Sequence, residues 1–173
     1  MFSHTGSEIH NVSRLIGRKP DRVITNKQPG DKTINKQLLK SIANDIVYTD
    51  DRPGAEDYDR LFLDNCVVTL HGWMRIVPKK ICKMYEIYNL HPGLITKYPE
   101  LKGADPQKRI LNQKTTYSHV GCVIHRVTPG VDEGPVLAES KVHNHYYNEE
   151  QISCSLHELA TQLWKQFLTQ HDL

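Results

Sequence analysis

Short apolar runs alternate with longer amphipathic stretches along the chain. The apolar runs are rich in β-branched residues and are bounded by turn formers, a pattern typical of β-strands. We predict six such strands, over residues 22–25, 45–48, 66–70, 86–89, 120–127 and 136–142. Between them, apolar residues recur at the spacing of a helix over residues 7–16, 33–43, 55–63, 78–84 and 106–113.

Two segments indicate the fold class. Val67, Val68 and Leu70 form an almost unbroken apolar run, as expected for a central parallel strand that helices cover on both faces. Residues 149–167 place their apolar side chains on one stripe after two acidic residues, which predicts a packing helix. The sequence therefore predicts an α/β fold, a mainly parallel twisted sheet with helices on both faces, in a single domain over residues 1–173.

Length and charge narrow the classes of function. The chain has 173 residues, with 22 Lys and Arg against 20 Asp and Glu, and 38% of its residues are hydrophobic. This composition argues against a disordered chain and against a strongly basic nucleic-acid binder. Because no apolar run approaches the roughly 18 residues of a membrane span, and the first residues lack the pattern of a signal peptide, we expect a cytoplasmic protein that does not bind membranes. We also expect no specific nucleic-acid binding, and the sequence leaves the oligomeric state open.

Cysteine and histidine patterns give no sign of a metal site. The four cysteines, Cys66, Cys82, Cys122 and Cys154, contain no C-x-x-C pair, and we predict free thiols, three of them buried. The ten histidines include His143 and His145, which would share one face of a strand, but no further ligands lie at zinc-like spacing. We therefore predict no metal.

The most informative stretch is residues 86–93, where an apolar strand runs into Pro92 and Gly93. Asn89 and His91 lie two residues apart near the end of this strand, so the period of a strand places them on the same side. An amide and an imidazole together can bind a developing oxyanion and carry a proton, as acyl transfer requires. These residues alone leave open that Asn89 closes a turn and that His91 is a structural polar residue.

A second apolar strand carries His125 and leads into a loop rich in Gly and Pro that contains Asp132. Such loops often carry function, and a carboxylate there can orient or charge an imidazole. An Asp in a loop is more often a turn former, and that alternative also stays open at this point.

Four motifs follow one another along the chain: Gly72–Val77, Asn89-Leu90-His91-Pro92, Gly121–His125 and Asp132–Pro135. In this order they resemble the folate-dependent formyltransferases of the phosphoribosylglycinamide formyltransferase type. The resemblance implies a formyltransferase-like fold with a Rossmann-like N-terminal half. It also implies transfer of a formyl group from 10-formyltetrahydrofolate to a primary amine on a small phosphorylated or nucleotide-linked acceptor, glycinamide ribonucleotide by default, as in purine biosynthesis.

The resemblance also assigns roles to individual residues. Asn89, His91 and Asp132 would form the catalytic set, and His125 would brace the Asp132 loop. The co-substrate 10-formyltetrahydrofolate would bind in a cleft formed by Met74, Arg75, Ile76 and Val77 together with Thr128, Pro129, Gly130 and Val131.

The N-terminal segment departs from the family pattern. Only Met1 and Phe2 precede the phosphate loop, so we expect the first strand to be short or missing. The residues placed by the resemblance at the acceptor phosphate are Thr5, Gly6, Ser7 and Glu8. Backbone N–H groups of Gly6 and Ser7 can bind an anion at a helix start. Glu8 stands where the purine enzyme has an Asn. It either repels phosphate, turns to solvent, or is only an acidic first-turn residue.

Two other functions use the same residues. A formyltetrahydrofolate hydrolase would take water as the acceptor, and a non-catalytic module would bind folate or a nucleotide without reaction. Because Asn89, His91 and Asp132 are all present, we expect an enzyme with small-molecule substrates and not a non-catalytic module. The related hydrolases carry an extra regulatory domain that this sequence does not show, so we expect a folate-dependent N-formyltransferase.

Overall fold

A computed structural model describes residues 1–113, 115–146 and 148–173, and its strands and helices alternate along the chain. The strands are β1 (Phe2–Ser3), β2 (Val23–Thr25), β3 (Ile46–Tyr48), β4 (Val68–His71), β5 (Ile87–His91), β6 (His119–Arg126) and β7 (Val136–His143). The helices are α1 (Ser7–Ile16), α2 (Lys36–Ile42), α3 (Ala55–Leu61), α4 (Lys79–Met84), α5 (Pro106–Asn112) and α6 (Glu149–Gln170). Short 3-10 turns cover Ala43–Asp45 and Pro99–Leu101.

The chain forms two compact units, Met1–Asn89 and Leu90–Leu173, and the division falls within β5. In the first unit the strands lie in the order β3, β2, β1, β4 and β5, and each neighbouring pair is parallel. Strand β1 has two residues, as short as the sequence predicted, yet it pairs with both β2 and β4. This mainly parallel arrangement confirms the predicted α/β class.

Aromatic side chains fill one part of the core of the first unit. The ring of Phe2 lies 5.6 Å from that of Tyr58 and 5.2 Å from that of Trp73, measured between centroids. The Trp73 indole N–H donates to the Tyr58 hydroxyl at 2.8 Å, so the buried polar ends of both rings are satisfied. Helix α1 buries Ile9, which packs in a separate apolar cluster with residues of β2 and α2.

The second unit is built on the antiparallel pair β6 and β7, whose register runs from His119 opposite His143 to His125 opposite Val136. Helix α6 covers this unit with the apolar stripe predicted from the sequence, and it runs three residues further than predicted, to Gln170. Its buried residues are Ile152, Leu156, Ala160, Thr161, Leu163, Trp164, Phe167 and Leu168.

Three predicted boundaries differ from those of the structure. Helix α2 begins at Lys36 and not at residue 33, because the Asn35 side chain accepts from the backbone N–H groups of Gln37 and Leu38 and so caps the helix. Strand β5 continues beyond residue 89 to include His91. Strand β7 ends at His143, so His145 lies outside it and does not share a strand face with His143.

The four thiols are free, but they are less buried than expected. Cys82 and Cys122 are buried, whereas Cys66 is half-buried and Cys154 is exposed. The prediction of three buried thiols is wrong, since only two are buried: Cys66 keeps part of its surface exposed and Cys154 lies on the exposed face of α6. Within the described helices, none combines the length and apolar character needed to cross a membrane.

Candidate active site

The end of strand β5 carries the first part of the candidate site. His91 is its last residue and is 4% exposed, and Asn89 precedes it by two residues in register with Leu70 of β4. The turn that follows requires glycine, because a Cβ added at Gly93 would lie 2.9 Å from His91 Nε2. The absence of a side chain at residue 93 therefore leaves room for the imidazole.

The end of strand β6 carries the second part. A register shift between Ile124 and His125 marks a β-bulge, a feature that often redirects a side chain beside an active site. The following loop closes tightly on the strand, since a Cβ at Gly134 would lie 1.7 Å from the Arg126 carbonyl oxygen. Within this loop Asp132 has a φ of 51°, a left-handed conformation that Asp adopts more readily than most residues.

His91, His125 and Asp132 come together in the second unit. His91 Nδ1 lies 3.1 Å from Asp132 Oδ2, and His125 Nε2 lies 3.3 Å from Asp132 Oδ1. The Gly103 backbone N–H donates to Oδ2 at 2.9 Å. The carboxylate is thus held between two imidazoles and one backbone donor.

Both ring nitrogens of His91 face hydrogen-bond acceptors. Its Nε2 lies 2.8 Å from the Leu101 carbonyl oxygen, which can only accept, and its Nδ1 faces the Asp132 carboxylate. A neutral imidazole has one N–H, so satisfying both acceptors requires two. Only a ring with both N–H groups donates to both acceptors at once, and the role of His91 in stabilising an oxyanion stays a prediction.

The surroundings of Asp132 keep it ionised. Burial by itself would raise the pKa of this carboxyl group. Hydrogen bonds from His125 and His91, the charge on His91, and the Gly103 N–H together outweigh burial and hold the pKa of Asp132 well below its usual range. A carboxylate with such a low pKa is a weak base and a strong partner for a cation.

The predicted phosphate loop differs from expectation at two residues. The Gly6 N–H, expected to bind an anion, donates instead to Ser3 Oγ at 2.9 Å. Glu8 does not turn to solvent: its side chain is 13% exposed, and its Oε2 lies 3.0 Å from His71 Nδ1. His71 Nε2 in turn lies 2.9 Å from Thr69 Oγ1. Thr5 and Ser7 remain at the loop, with their hydroxyl oxygens 3.5 Å apart.

His71 is a residue that the sequence reasoning missed. Its position at the carboxyl end of the apolar central strand could have indicated a functional role, because ligands bind at this edge of parallel sheets. The prediction ended that strand at residue 70, whereas β4 includes His71.

The first segment predicted to bind folate lies in the first unit and exposes two large apolar side chains. Met74 is 65% exposed and Ile76 is 73% exposed, whereas Val77 is buried. Arg75 is held by Asp51, whose carboxylate and backbone carbonyl oxygens both accept from its guanidinium.

The second predicted segment, residues 128–131, lies in the second unit just before Asp132. Thr128 and Gly130 are half-buried, while Pro129 and Val131 are exposed. Val131, directly before Asp132 in the loop, therefore exposes an apolar side chain to solvent.

Two further groups that contact the candidate catalytic residues are backbone atoms of Leu101 and Gly103. A contact through a carbonyl or an N–H leaves no side-chain signature in the sequence. Among the residues that the structure describes, no three His, Cys, Asp or Glu side chains gather in a group suited to a metal ion.

Comparison with known proteins gives one family match and two informative relatives. A family model described as formyl transferase matches residues 9–168. The trifunctional purine biosynthetic protein adenosine-3 of Drosophila melanogaster is 29% identical over 160 residues, covering 82% of this chain and 11% of that protein. The methionyl-tRNA formyltransferase of Orientia tsutsugamushi (strain Boryong) is 32% identical over 145 residues, covering 78% of this chain and 43% of that protein. The chain thus spans less than half the length of each.

A solved structure matches along nearly the whole chain. The crystal structure of phosphoribosylglycinamide formyltransferase from Streptococcus pneumoniae TIGR4 has a TM-score of 0.78 and 20% sequence identity, and the match covers 99% of this chain and 97% of that one. At this identity the match shows the fold, and it confirms the predicted fold class.

Proposed function

The chain belongs to the formyl transferase family, and from this premise we propose that it transfers a formyl group from 10-formyltetrahydrofolate to a primary amine of a small phosphorylated or nucleotide-linked acceptor. The observation that carries the proposal is the His91 imidazole held by Asp132, at the end of the strand that also carries Asn89. A histidine that a carboxylate holds in place can supply the positive charge that stabilises a developing oxyanion.

The proposed reaction has two covalent steps. The acceptor amine forms a bond to the formyl carbon, and the formyl oxygen becomes an oxyanion that Asn89 and His91 stabilise. The bond between that carbon and N10 of the folate then breaks, and the proton lost by the amine is balanced by the proton gained at N10. Because its pKa is low, Asp132 acts mainly by holding the charge of His91, and the proton passes through water.

One hydrogen bond of His91 has to be exchanged during this reaction. Nδ1 faces the Asp132 carboxylate, whereas Nε2 faces the neutral carbonyl of Leu101. The bond to a neutral acceptor is the weaker of the two. We therefore assign Nε2 as the group that leaves Leu101 and donates to the oxyanion.

Exposed apolar side chains support the binding of folate. Met74 and Ile76 in the first unit, and Val131 in the second, are large apolar residues that are more than half exposed. Apolar residues lining a ligand site bury this surface when the ligand binds. We assign these positions, with Arg75, Val77, Thr128, Pro129 and Gly130, to recognition of the co-substrate. The cytoplasmic location expected from the sequence stays a prediction.

The acceptor is the second part of the proposal. Glu8 lies in the first turn of α1, and His71 holds its carboxylate in place. The Gly6 N–H already donates to Ser3 Oγ. A carboxylate there disfavours a phosphate dianion. The relatives also differ, since one is named for purine biosynthesis and the other for methionyl-tRNA. We propose that glycinamide ribonucleotide, the default acceptor, is used poorly and that another amine is preferred.

The reaction is tested with 10-formyltetrahydrofolate and glycinamide ribonucleotide or aminated sugar nucleotides, by following tetrahydrofolate and identifying the formylated product by mass spectrometry. Replacing His91 with Ala should lower kcat about a hundredfold. The control His145→Ala, at an exposed histidine in the same unit, should leave kcat unchanged. Formate as the product would indicate a hydrolase, and folate binding without turnover would indicate a non-catalytic module.

The acceptor proposal is tested at Glu8. Glu8→Gln keeps the shape and an oxygen for His71 but removes the negative charge, so it should lower KM for glycinamide ribonucleotide with little effect on kcat. A wild-type kcat/KM above roughly 10⁴ M⁻¹s⁻¹, the low end of ordinary enzymes, would contradict the proposal and restore the purine-pathway acceptor.

A further inference from the structure

Arg109, on helix α5, binds four backbone carbonyls of the segment that precedes its own helix. Its Nη1 donates to Glu100 at 2.7 Å and to Lys102 at 3.0 Å. Its Nη2 donates to Ala104 at 2.6 Å and to Leu101 at 3.2 Å. One guanidinium thereby fixes the course of residues 100–104, which we call the carbonyl loop.

The carbonyl loop supplies two groups to the candidate catalytic pair. The Leu101 carbonyl accepts from His91 Nε2 at 2.8 Å, and the Gly103 N–H donates to Asp132 Oδ2 at 2.9 Å. Both groups are backbone atoms, so their positions depend only on the path of the loop. Arg109 is the side chain that holds this path.

Directly after this segment the backbone is strained at one residue. Gly103 has a φ of 82°, and Asp105, directly after the loop, has a φ of 52°. A left-handed residue other than glycine costs about 1 kcal/mol or more and persists when its surroundings impose it. Hydrogen bonds from a charged donor are stronger than neutral ones, so the four from Arg109 stabilise the strained segment.

We infer that Arg109 is a positioning residue for formyl transfer, acting through the carbonyl loop on His91 and Asp132. The inference rests on the proposed function, since those two residues are proposed as catalytic. The four hydrogen bonds of Arg109 go to the carbonyl loop, so Arg109 acts on His91 and Asp132 through that loop.

The shared carbonyl of Leu101 explains how Arg109 assists turnover as well as placement. When His91 Nε2 leaves Leu101 to donate to the oxyanion, a buried carbonyl would lose its partner, at a cost of about 1–3 kcal/mol. The Arg109 hydrogen bond to the same oxygen remains. The imidazolium can therefore change partners without leaving an unsatisfied acceptor behind.

The kinetic test compares Arg109→Ala and Arg109→Lys with Lys108→Ala. Lys108 is the neighbouring residue on the same helix, is exposed and carries the same charge, so it controls for net charge and for helix substitution. Misplacing catalytic groups by about 1 Å costs up to about a hundredfold. We expect kcat to fall about 10- to 100-fold in Arg109→Ala, less in Arg109→Lys, and not in Lys108→Ala, with KM for 10-formyltetrahydrofolate within about twofold of wild type.

Chemical rescue separates positioning from general stability. Added guanidinium ion at low millimolar concentration should restore part of kcat in Arg109→Ala and none in His91→Ala, because only the former lacks a guanidinium. Loss of kcat without rescue, accompanied by an equal loss in Lys108→Ala, would overturn the inference. If Arg109→Ala does not fold, Arg109→Lys carries the same comparison.

Hydrogen exchange provides a readout that does not need an active enzyme. The Gly103 amide should exchange at least about tenfold faster in Arg109→Ala than in wild type, while the amide of Val123 in β6 keeps its protection. Unchanged exchange at Gly103 would overturn the inference whatever the kinetics. A wild-type protein that transfers no formyl group would instead refute the proposed function, and exchange at Gly103 would still report whether Arg109 holds the loop.

Discussion

Asp132 combines a left-handed backbone with a carboxylate that two imidazoles contact. The backbone limits the residues that fit this position, and the histidines require a negative charge there. Because the pKa of Asp132 is lowered in the folded state, its ionised form stabilises the fold. This stabilisation is complete above the pKa of an unfolded Asp, about 3.9, and is lost as the pH falls through the lower folded value.

We therefore predict a pH-dependent effect of Asp132→Asn. At pH 7 the free energy of unfolding should fall by about 3 kcal/mol, because one partner of a buried charged pair is lost. The difference from wild type should shrink below about pH 4. Urea titrations over this range measure it. Asp105→Asn is the matched control, since Asp105 also has a positive φ but is exposed, and it should change stability by less than about 0.5 kcal/mol.

Gly93 offers a second test at the same scale. A Cβ there would lie 2.9 Å from His91 Nε2 and 3.3 Å from the Leu101 Cβ, so Gly93→Ala should push the imidazole out of place. We expect kcat to fall about tenfold or more. In a His91→Ala background the same change should cause no further loss. An additional loss there would show that Gly93 acts through something other than the imidazole.

How much of the site could be predicted depends on whether its members are side chains or backbone groups. Asn89, His91 and Asp132 were noticed because amide, imidazole and carboxylate stand out at or after strand ends, and the family resemblance then assigned them catalytic roles. The Leu101 carbonyl and the Gly103 N–H carry no such mark, and the role of Arg109 depends on a loop path that no spacing encodes. Glu8 was noticed, but its direction depends on His71, which is 63 residues away in sequence.

At the scale of elements, periodicity predicted which segments are helices and strands, and hydrogen bonds set their ends. Helix α1 has the predicted bounds, whereas α2 starts later because Asn35 caps it. The 3-10 turn Pro99–Leu101 was missed, since three residues are too few to show a period.

Pairing of β6 and β7 depends on Gly121. A Cβ there would lie 2.1 Å from the Ser140 carbonyl oxygen and 2.7 Å from Leu94 Cδ2, so Gly121→Ala should force the two strands apart. We predict a loss of about 3 kcal/mol in the free energy of unfolding, measured by urea titration. In Gly54→Ala the new methyl group meets nothing closer than 3.5 Å, and stability should change far less. Equal effects of the two substitutions would contradict this account.

For the whole molecule, alternation of strands and helices was enough to predict the α/β class. The single domain also predicted from length stays a prediction, and the structure shows two compact units that divide within β5. Division within a strand has no marker in composition, because the residues on either side, Asn89 and Leu90, belong to the same continuous strand.

Each unit contains one buried cysteine, so the reactivity of the two thiols can be used to measure the unfolding of each unit. Cys82 is buried in the first unit and Cys122 in the second, while exposed Cys154 reacts in the native state. Burial also raises the pKa of the Cys82 thiol, so that it reacts slowly until its surroundings open. In a urea series, pulses of a maleimide followed by mass spectrometry should modify Cys82 and Cys122 at the same midpoint if the chain unfolds as one cooperative domain. Two separate midpoints would mean that each unit opens independently.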